Sequence, residues 1–362
     1  MNDLAHLQTP AFLVDKNIVR QNCEHMLEKA RASGVAFRPH VKTHKTIEIG
    51  RMQHGGDTGP ITVSTLAEAE FFADAGFRDI TYAVPIAPNK LDRAAALARR
   101  VDRLSILIDN AEALRGIGEH GGEFDVFLKV DCGYHRAGVN PDDPDSVRLV
   151  MAIVSSPAVH FQGLLTHAGH SYHAQSVEEI RRVAAEESAA VSRFRALLPG
   201  ELQTTVRSIG STPTASVVDR FADCDELRPG NYVFYDAFQA TIGSCRRSDV
   251  AVSVLATVVG SYPDRNESII DAGALAMSKD LGPDHIDPQF GYGVVCDTAL
   301  RPIGARLISL SQEHGKLSAA LPIGSRVRII PNHSCLTAAM YDTYHVLENG
   351  TLVDEWKPVR GW

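Results

Sequence analysis

The chain has 362 residues, 44% of them hydrophobic and 22% charged, with a formal net charge of −8. That length suits roughly two domains, or one barrel with an addition, and the acidic balance without a basic tail disfavours a nucleic-acid partner. No apolar run approaches the ~18 residues of a membrane span. The amino terminus lacks the basic and apolar regions of a signal peptide. Six cysteines (Cys23, Cys132, Cys224, Cys245, Cys296, Cys335) are scattered and never spaced as C-x-x-C, which predicts a reducing, cytoplasmic setting rather than a disulfide framework.

In chain order, residues 9–15 read as one short strand. A regular alternation follows, with apolar strand-like runs at 35–41, 61–64, 80–84, 104–108, 124–130, 160–166, 205–209 and 226–228. Helix-like stretches lie between them. Thr65 with Glu68 forms a capping pattern before one, and 90–100 and 177–198 are rich in helix formers without interior Gly or Pro. Eight alternations of strand and helix predict a (β/α)8 TIM-like barrel rather than an open sheet. Its closure rests on the short, weak run 226–228. From about residue 250 the texture becomes all-β, with strands expected at 250–259, 267–271, 305–310 and 326–330. Asn349-Gly350 marks a final hairpin. The expected division is a barrel over 16–246 and a β-domain over 247–362, with residues 1–15 pairing with the latter.

Catalytic groups of such barrels sit at the carboxyl ends of the strands. The first of these ends carries Lys42, among Arg38, His40, His44 and Lys45. Crowding by cations and partial desolvation lower a lysine's pKa, as Schiff-base chemistry needs; a solvated basic loop is the alternative. Asp131 to Gly138 reads as a turn that could pair Asp131 with Arg136. His167, His170 and His173 would face one way only in a helix, which Gly169 opposes, so they are read as polar lining. Ser208 to Thr214 is either a helix cap or an anion loop. In the β-domain, His333 and Cys335 lie two apart, so on extended backbone they point to one side and offer imidazole and thiolate to an ion such as zinc.

Pro39-His40-Val41-Lys42-Thr43-His44-Lys45 closely resembles the pyridoxal-phosphate lysine motif of the zinc-dependent D-serine dehydratases and the related D-threonine aldolases. Further segments resemble the family and the alanine racemases that share its fold. They are the Asp131-x-Gly133-x-x-Arg136-x-Gly138 turn, the His170-Ser171-Tyr172 segment, Arg228-Pro229-Gly230 and Pro331-Asn332-His333-x-Cys335. The resemblance implies a fold-type III enzyme with pyridoxal 5′-phosphate on Lys42. It sets Arg136 near the cofactor's phenolic oxygen, Arg228 at the pyridine nitrogen, Thr212, Gly230 and Asn231 at the phosphate, and Tyr172 in contact with cofactor or substrate. It also implies Zn2+ on His333 and Cys335; aldolases carry an Asp where this chain has Cys335. The implied reaction is loss of water from a D-β-hydroxy amino acid, foremost D-serine to pyruvate and ammonia. D-threo-3-hydroxyaspartate or D-threonine dehydration comes next, then retro-aldol cleavage of D-threonine, and a non-catalytic cofactor carrier is the reading from another class. The expected partners are a small D-amino acid and a second copy of the chain, with no nucleic acid and no membrane.

Overall fold

The computed structural model describes residues 3–221 and 223–362. Its strands are β1 (Ala11–Asp15), β2 (Ala36–Phe37), β3 (Ile61–Val63), β4 (Asp79–Pro85), β5 (Arg103–Ile108), β6 (Phe124–Lys129), β7 (Val159–Leu165), β8 (Val206–Ile209) and β9 (Glu226–Leu227). They continue as β10 (Val252–Tyr262), β11 (Glu267–Ile270), β12 (Gly293–Cys296), β13 (Pro302–Leu310), β14 (Gly315–Leu317), β15 (Arg326–Pro331), β16 (Tyr344–Glu348) and β17 (Thr351–Trp356). The chain forms two compact units. One comprises Glu24–Gly230 with Val359–Trp362, the other the chain up to Cys23 with Asn231–Pro358. The sequence texture marks 246/247 instead of 230/231, because the stretch in between holds only short helical turns and the β-rich run begins at Val252.

In the first unit eight parallel strands run in the order β2-β9-β8-β7-β6-β5-β4-β3. The two ends of that order meet. His40 and Thr62 form a parallel bridge, and the Thr62 N–H donates to the Pro39 carbonyl at 2.9 Å. The barrel therefore closes through two-residue strands, which is why the sequence signal for closure is faint. Leu107, Phe127 and Leu165 make one apolar cluster across β5, β6 and β7. Such side chains contribute roughly 1.5–3 kcal/mol each on full burial. The helix Leu66–Asp74 starts at Thr65, whose hydroxyl accepts the Glu68 N–H at 3.0 Å; the Glu68 carboxylate reaches back to the Ser64 N–H at 2.7 Å. The longest helix, Val177–Ala196, starts at the Ser176 cap and buries Ile180, Val183, Glu187, Ala190, Val191 and Phe194 along one face. Glu187 is the one charged member of that stripe.

The second unit is a sheet ordered β11-β14-β13-β12-β15-β10-β1-β16-β17, and β11 also pairs with β10, so six strands close on themselves. Strand β1 lies between β10, antiparallel, and β16, parallel. Phe12 on β1 is fully buried, with ring centroids 5.0–6.1 Å from Tyr344, Tyr341 and Phe234. Asn349 and Gly350 have φ of 52° and 79°, which suits the tight turn joining β16 to β17. Strands β12 and β14 escape the sequence reading, being short and without alternation. No helix of the described residues is long and apolar enough to cross a membrane.

Candidate active site

Lys42 sits, half-buried, in the turn Val41–Thr43, which Arg38, Pro39 and His40 join to β2. His40 shapes that turn: its Nδ1 accepts the Lys42 backbone N–H at 3.4 Å, leaving Nε2 to donate to Ser64 Oγ at 3.3 Å. Gly230 lies against this histidine. A Cβ there would stand 3.0 Å from both Cβ and the carbonyl oxygen of His40, so a larger residue would push the turn that carries Lys42. Arg38 does not crowd Lys42, because its guanidinium turns to Glu226 and Asp79; Lys45 pairs with Glu68 at 3.0 Å.

Other cations take that place. Burial, then the charges of Lys42 and Arg228, hold His40 well below the ordinary imidazole range. Desolvation and Lys42, Lys129 and Arg136 do the same to His167. The Nδ1 of His167 lies 3.1 Å from the Gly210 carbonyl, which can only accept, so Nδ1 carries the proton and Nε2 is an acceptor. Lys129, at the end of β6, is 6% exposed, and burial reinforced by Arg228 lowers its pKa to about 7. Two neutral imidazoles among four basic side chains, Lys129 the one held near half-charge at neutral pH, make a site for an anionic ligand that also carries a carbonyl.

Arg136 is exposed, its guanidinium 5.2 Å from the Tyr134 ring centroid. Asp131 does not pair with it. Its carboxylate accepts the N–H groups of Gly133 and His135 at 3.0 Å each and meets His135 Nδ1 at 2.7 Å. Gly169–His173 is a 3-10 turn, contrary to the sequence expectation that Gly169 opposes helix. Glycine is needed there for another reason: a Cβ would lie 2.2 Å from the Tyr134 ring, which stacks on His170. Tyr172 is half-buried in this turn. Its neighbour Ser171 bonds Ser211 across 2.9 Å, which ties the Tyr172 turn to the helix that Thr212 opens. Ser211 is a helix cap, forming a reciprocal capping box with Thr214, so both hydroxyls are committed within the loop. Arg228 is buried and donates to Ser208 and to the Thr166 carbonyl. In this unit Lys42, Arg136, Tyr172, Thr212, Arg228 and Gly230 thus gather on the loops that follow the barrel strands.

Glu187, which the sequence reading missed, braces two of those loops. Its Oε1 accepts the N–H groups of Ala168 at 3.0 Å and Gly210 at 3.1 Å, and its Oε2 lies 3.5 Å from Thr214 Oγ1. Burial raises its pKa against these hydrogen bonds. The signal was available, since a glutamate on the apolar stripe of an amphipathic helix needs buried partners.

Asn231 belongs elsewhere by its side chain. In the second unit its Nδ2, with two protons to give, lies 2.9 Å from Asp236, 2.8 Å from Ser334 and 3.4 Å from Cys335 Sγ, and its buried Oδ1 has no partner among the described residues. His333 Nδ1 meets Asp280 at 3.0 Å, and the ring also bonds the Cys335 side chain. Burial alone would lower the His333 pKa; Asp280 and Cys335 outweigh it and raise it well above the ordinary value. Among the described residues no group of three or more His, Cys, Asp and Glu is placed to hold a metal. The pair still fits an open two-ligand site. Imidazole and thiol touch, and a carboxylate orients the ring through Nδ1.

Two family models match the chain: "Alanine racemase, N-terminal domain" over residues 14–237 and "Putative serine dehydratase domain" over 251–347. The chain is 41% identical to a D-serine dehydratase of Dictyostelium discoideum, covering 100% of this chain and 99% of that one. It is 39% identical to the D-threo-3-hydroxyaspartate dehydratase of Delftia sp. (strain HT23), covering 99% of both. The solved structure of the Delftia enzyme superposes with a TM-score of 0.92 over 99% of each chain at 38% identity. Solved variants of D-threo-3-hydroxyaspartate dehydratase replace a histidine by alanine and, two positions on, a cysteine by alanine, the latter in the metal-free form. A D-threonine aldolase structure from Filomicrobium marinum is 28% identical, with a TM-score of 0.85 over 98% of this chain and 96% of that one.

Proposed function

We infer the activity from one premise: the chain belongs to the family of the D-serine and D-threo-3-hydroxyaspartate dehydratases. It is a pyridoxal-phosphate-dependent lyase that removes water from a D-β-hydroxy amino acid, and the substrate we assign is D-serine, giving pyruvate and ammonia. The observation that carries this is the end-to-end likeness to dehydratases, together with Cys335 where the family's aldolases carry Asp. It leaves a non-catalytic carrier without support.

Pyridoxal phosphate supplies a carbonyl for the substrate amine and an electron sink for the charge left at Cα. The chain's residues do the rest. Lys42 Nζ would anchor the carbonyl and, as a free amine, would act as the base at Cα. His40 fixes the turn that aims Lys42. Thr212, Gly230 and the backbone at Asn231 would hold the phosphate, Arg228 would serve the ring nitrogen, Arg136 the phenolic oxygen, and Tyr172 would contact cofactor or substrate. Zn2+ on His333 and Cys335 would act as a Lewis acid on the β-hydroxyl, a poor leaving group. The contact between the two side chains, the Asp280 carboxylate on the ring and the metal-free form of a relative's cysteine variant support that assignment.

A second reading, D-threo-3-hydroxyaspartate, draws on the likeness to the Delftia relative, 39% identical over 99% of both chains. A panel of D- and L-β-hydroxy amino acids with product identification tests both. Pyruvate from D-serine is expected, oxaloacetate from the hydroxyaspartate marks the second reading, and glycine plus acetaldehyde from D-threonine would replace both by the aldolase. Lys42→Ala should lose the yellow colour and turnover together. We take the working form to be a cytoplasmic homodimer, from the family resemblance and from six cysteines that form no disulfide; light scattering checks the dimer.

A further inference from the structure

A line of alternating charge runs through the barrel unit to Arg228. Arg38 donates from both terminal nitrogens to Asp79 at 2.7 and 3.1 Å, and from Nε to Glu226 Oε2 at 2.6 Å. The other oxygen of Glu226 accepts the Ser208 hydroxyl at 2.6 Å. That hydroxyl accepts in turn from Arg228 Nε at 2.6 Å, while Nη2 of Arg228 donates to the carbonyls of Thr166 and Ser208. The Asp79 side chain is 29% exposed, whereas Arg38, Glu226, Ser208 and Arg228 are buried. The line thus begins at solvent and ends on a fully enclosed guanidinium.

A serine hydroxyl has one proton to give. Glu226 takes it, so the oxygen offers Arg228 only lone pairs, and the arrangement is self-consistent with a carboxylate at one end and a cation at the other. A neutral side chain at 226 would allow the hydroxyl to turn. Nε and Nη2 of Arg228 are occupied. Among the described residues no acceptor is paired with Nη1, the nitrogen left for a ligand.

We propose that Glu226, acting through Ser208, is a positioning residue that fixes the orientation of Arg228 toward the cofactor ring, with Arg38 and Asp79 holding Glu226 from behind. The inference rests on the pyridoxal-phosphate reading. A guanidinium held this way donates to the ring nitrogen and keeps a proton off it, so the line sets how strongly the ring draws charge from Cα. Glu226 touches no ligand and acts at one remove.

The test uses purified holoprotein of the wild type, Ser208→Ala, Glu226→Gln and Glu226→Asp. Ser208→Ala keeps every charge and removes only the joint, so it remains informative should Glu226→Gln fail to fold. The expected result for Ser208→Ala is an unchanged melting temperature, a shifted pH midpoint of the cofactor's visible band, and kcat lower by roughly tenfold or more with KM little changed, the scale of losing a supporting partner. Glu226→Gln should shift the midpoint the same way, and Glu226→Asp should recover part of it. Wild-type midpoint and kcat in Ser208→Ala, or losses that only follow a lowered melting temperature, overturn the proposal while leaving the functional reading intact. A wild type that takes up no pyridoxal phosphate overturns the functional reading and this proposal with it.

Discussion

Lys129 shows what one buried charge does to this protein. Its pKa of about 7 lies below the ordinary 10.5 because burial, reinforced by Arg228, disfavours the ammonium. Between those two values the unfolded chain binds the proton and the folded chain does not, so stability rises with pH across that window; below about 7 both states are charged and the full penalty stands. From about pH 7 to about pH 9 the gain is on the order of 2 kcal/mol. Urea midpoints of cofactor-free protein should rise over that range, and Lys129→Met should lessen the slope, the remainder coming from Lys29, which burial lowers to about 8; a parallel slope in the variant would refute the assignment. A second residue acts from outside the proposed zinc pair. Asp280→Asn removes the carboxylate that orients His333, and zinc affinity should fall by about tenfold to a hundredfold, read by competition with a coloured chelator. Equal affinity would mean that the ring is held by other contacts.

At the scale of elements, the helix Val177–Ala196 does more than cover the barrel strands. Through Glu187 it fixes the backbone of the loops after β7 and β8. Glu187→Ala strands two buried N–H groups, at about 1–3 kcal/mol for such a loss, and loosens the loop from which Thr212 is read as a phosphate ligand. The expected outcome is a lower melting temperature together with weaker cofactor binding. Glu187→Gln, which keeps one acceptor oxygen, should restore much of both. Unchanged cofactor affinity in the alanine variant would leave the helix with a purely structural role. The residue was visible in the sequence as a charge on an apolar stripe, but what it bonds was not, because both partners are backbone groups of remote loops. Asn231 shows the opposite limit. Its motif suggested phosphate, yet its side chain serves Ser334 and Cys335, some hundred residues on, a pairing no local pattern encodes.

For the whole molecule, the alternation of strands and helices was legible because most barrel strands are short apolar runs and several helices start at a capping side chain, among them Thr65, Asn110, Asp143 and Ser176. The division of the chain was less so, because β1 completes a sheet made otherwise from the far end of the sequence. Nor could periodicity reveal which polar groups are drawn out of water, and that decides how the protein meets acid. His40 and His44 are buried, His54 and His167 half-buried. Desolvation is the first cause that lowers each of them, His44 to about 3 and His54 to about 4. Below the ordinary value of 6.5 the unfolded chain protonates these imidazoles and the folded chain does not, so stability falls as pH drops through 6.5 and keeps falling to about 4. The carboxylates that arginines hold down, Glu70 and Asp225, lose their contribution only below their ordinary values of 4.5 and 3.8, so they leave the range above pH 5 to the histidines. Burial lowers His170 and His345 as well; Asp125, Glu187 and Asp236, raised by burial, and His333, raised by Asp280 and Cys335, oppose the trend there, four groups against six. His44 and His54 each cost on the order of 2 kcal/mol by about pH 5. The urea midpoint should therefore drop clearly from about pH 7 to about pH 5, and His44→Gln should lessen the drop, provided the variant folds at neutral pH. A wild-type midpoint that stays level across this range would show that the imidazoles take up protons in the folded state.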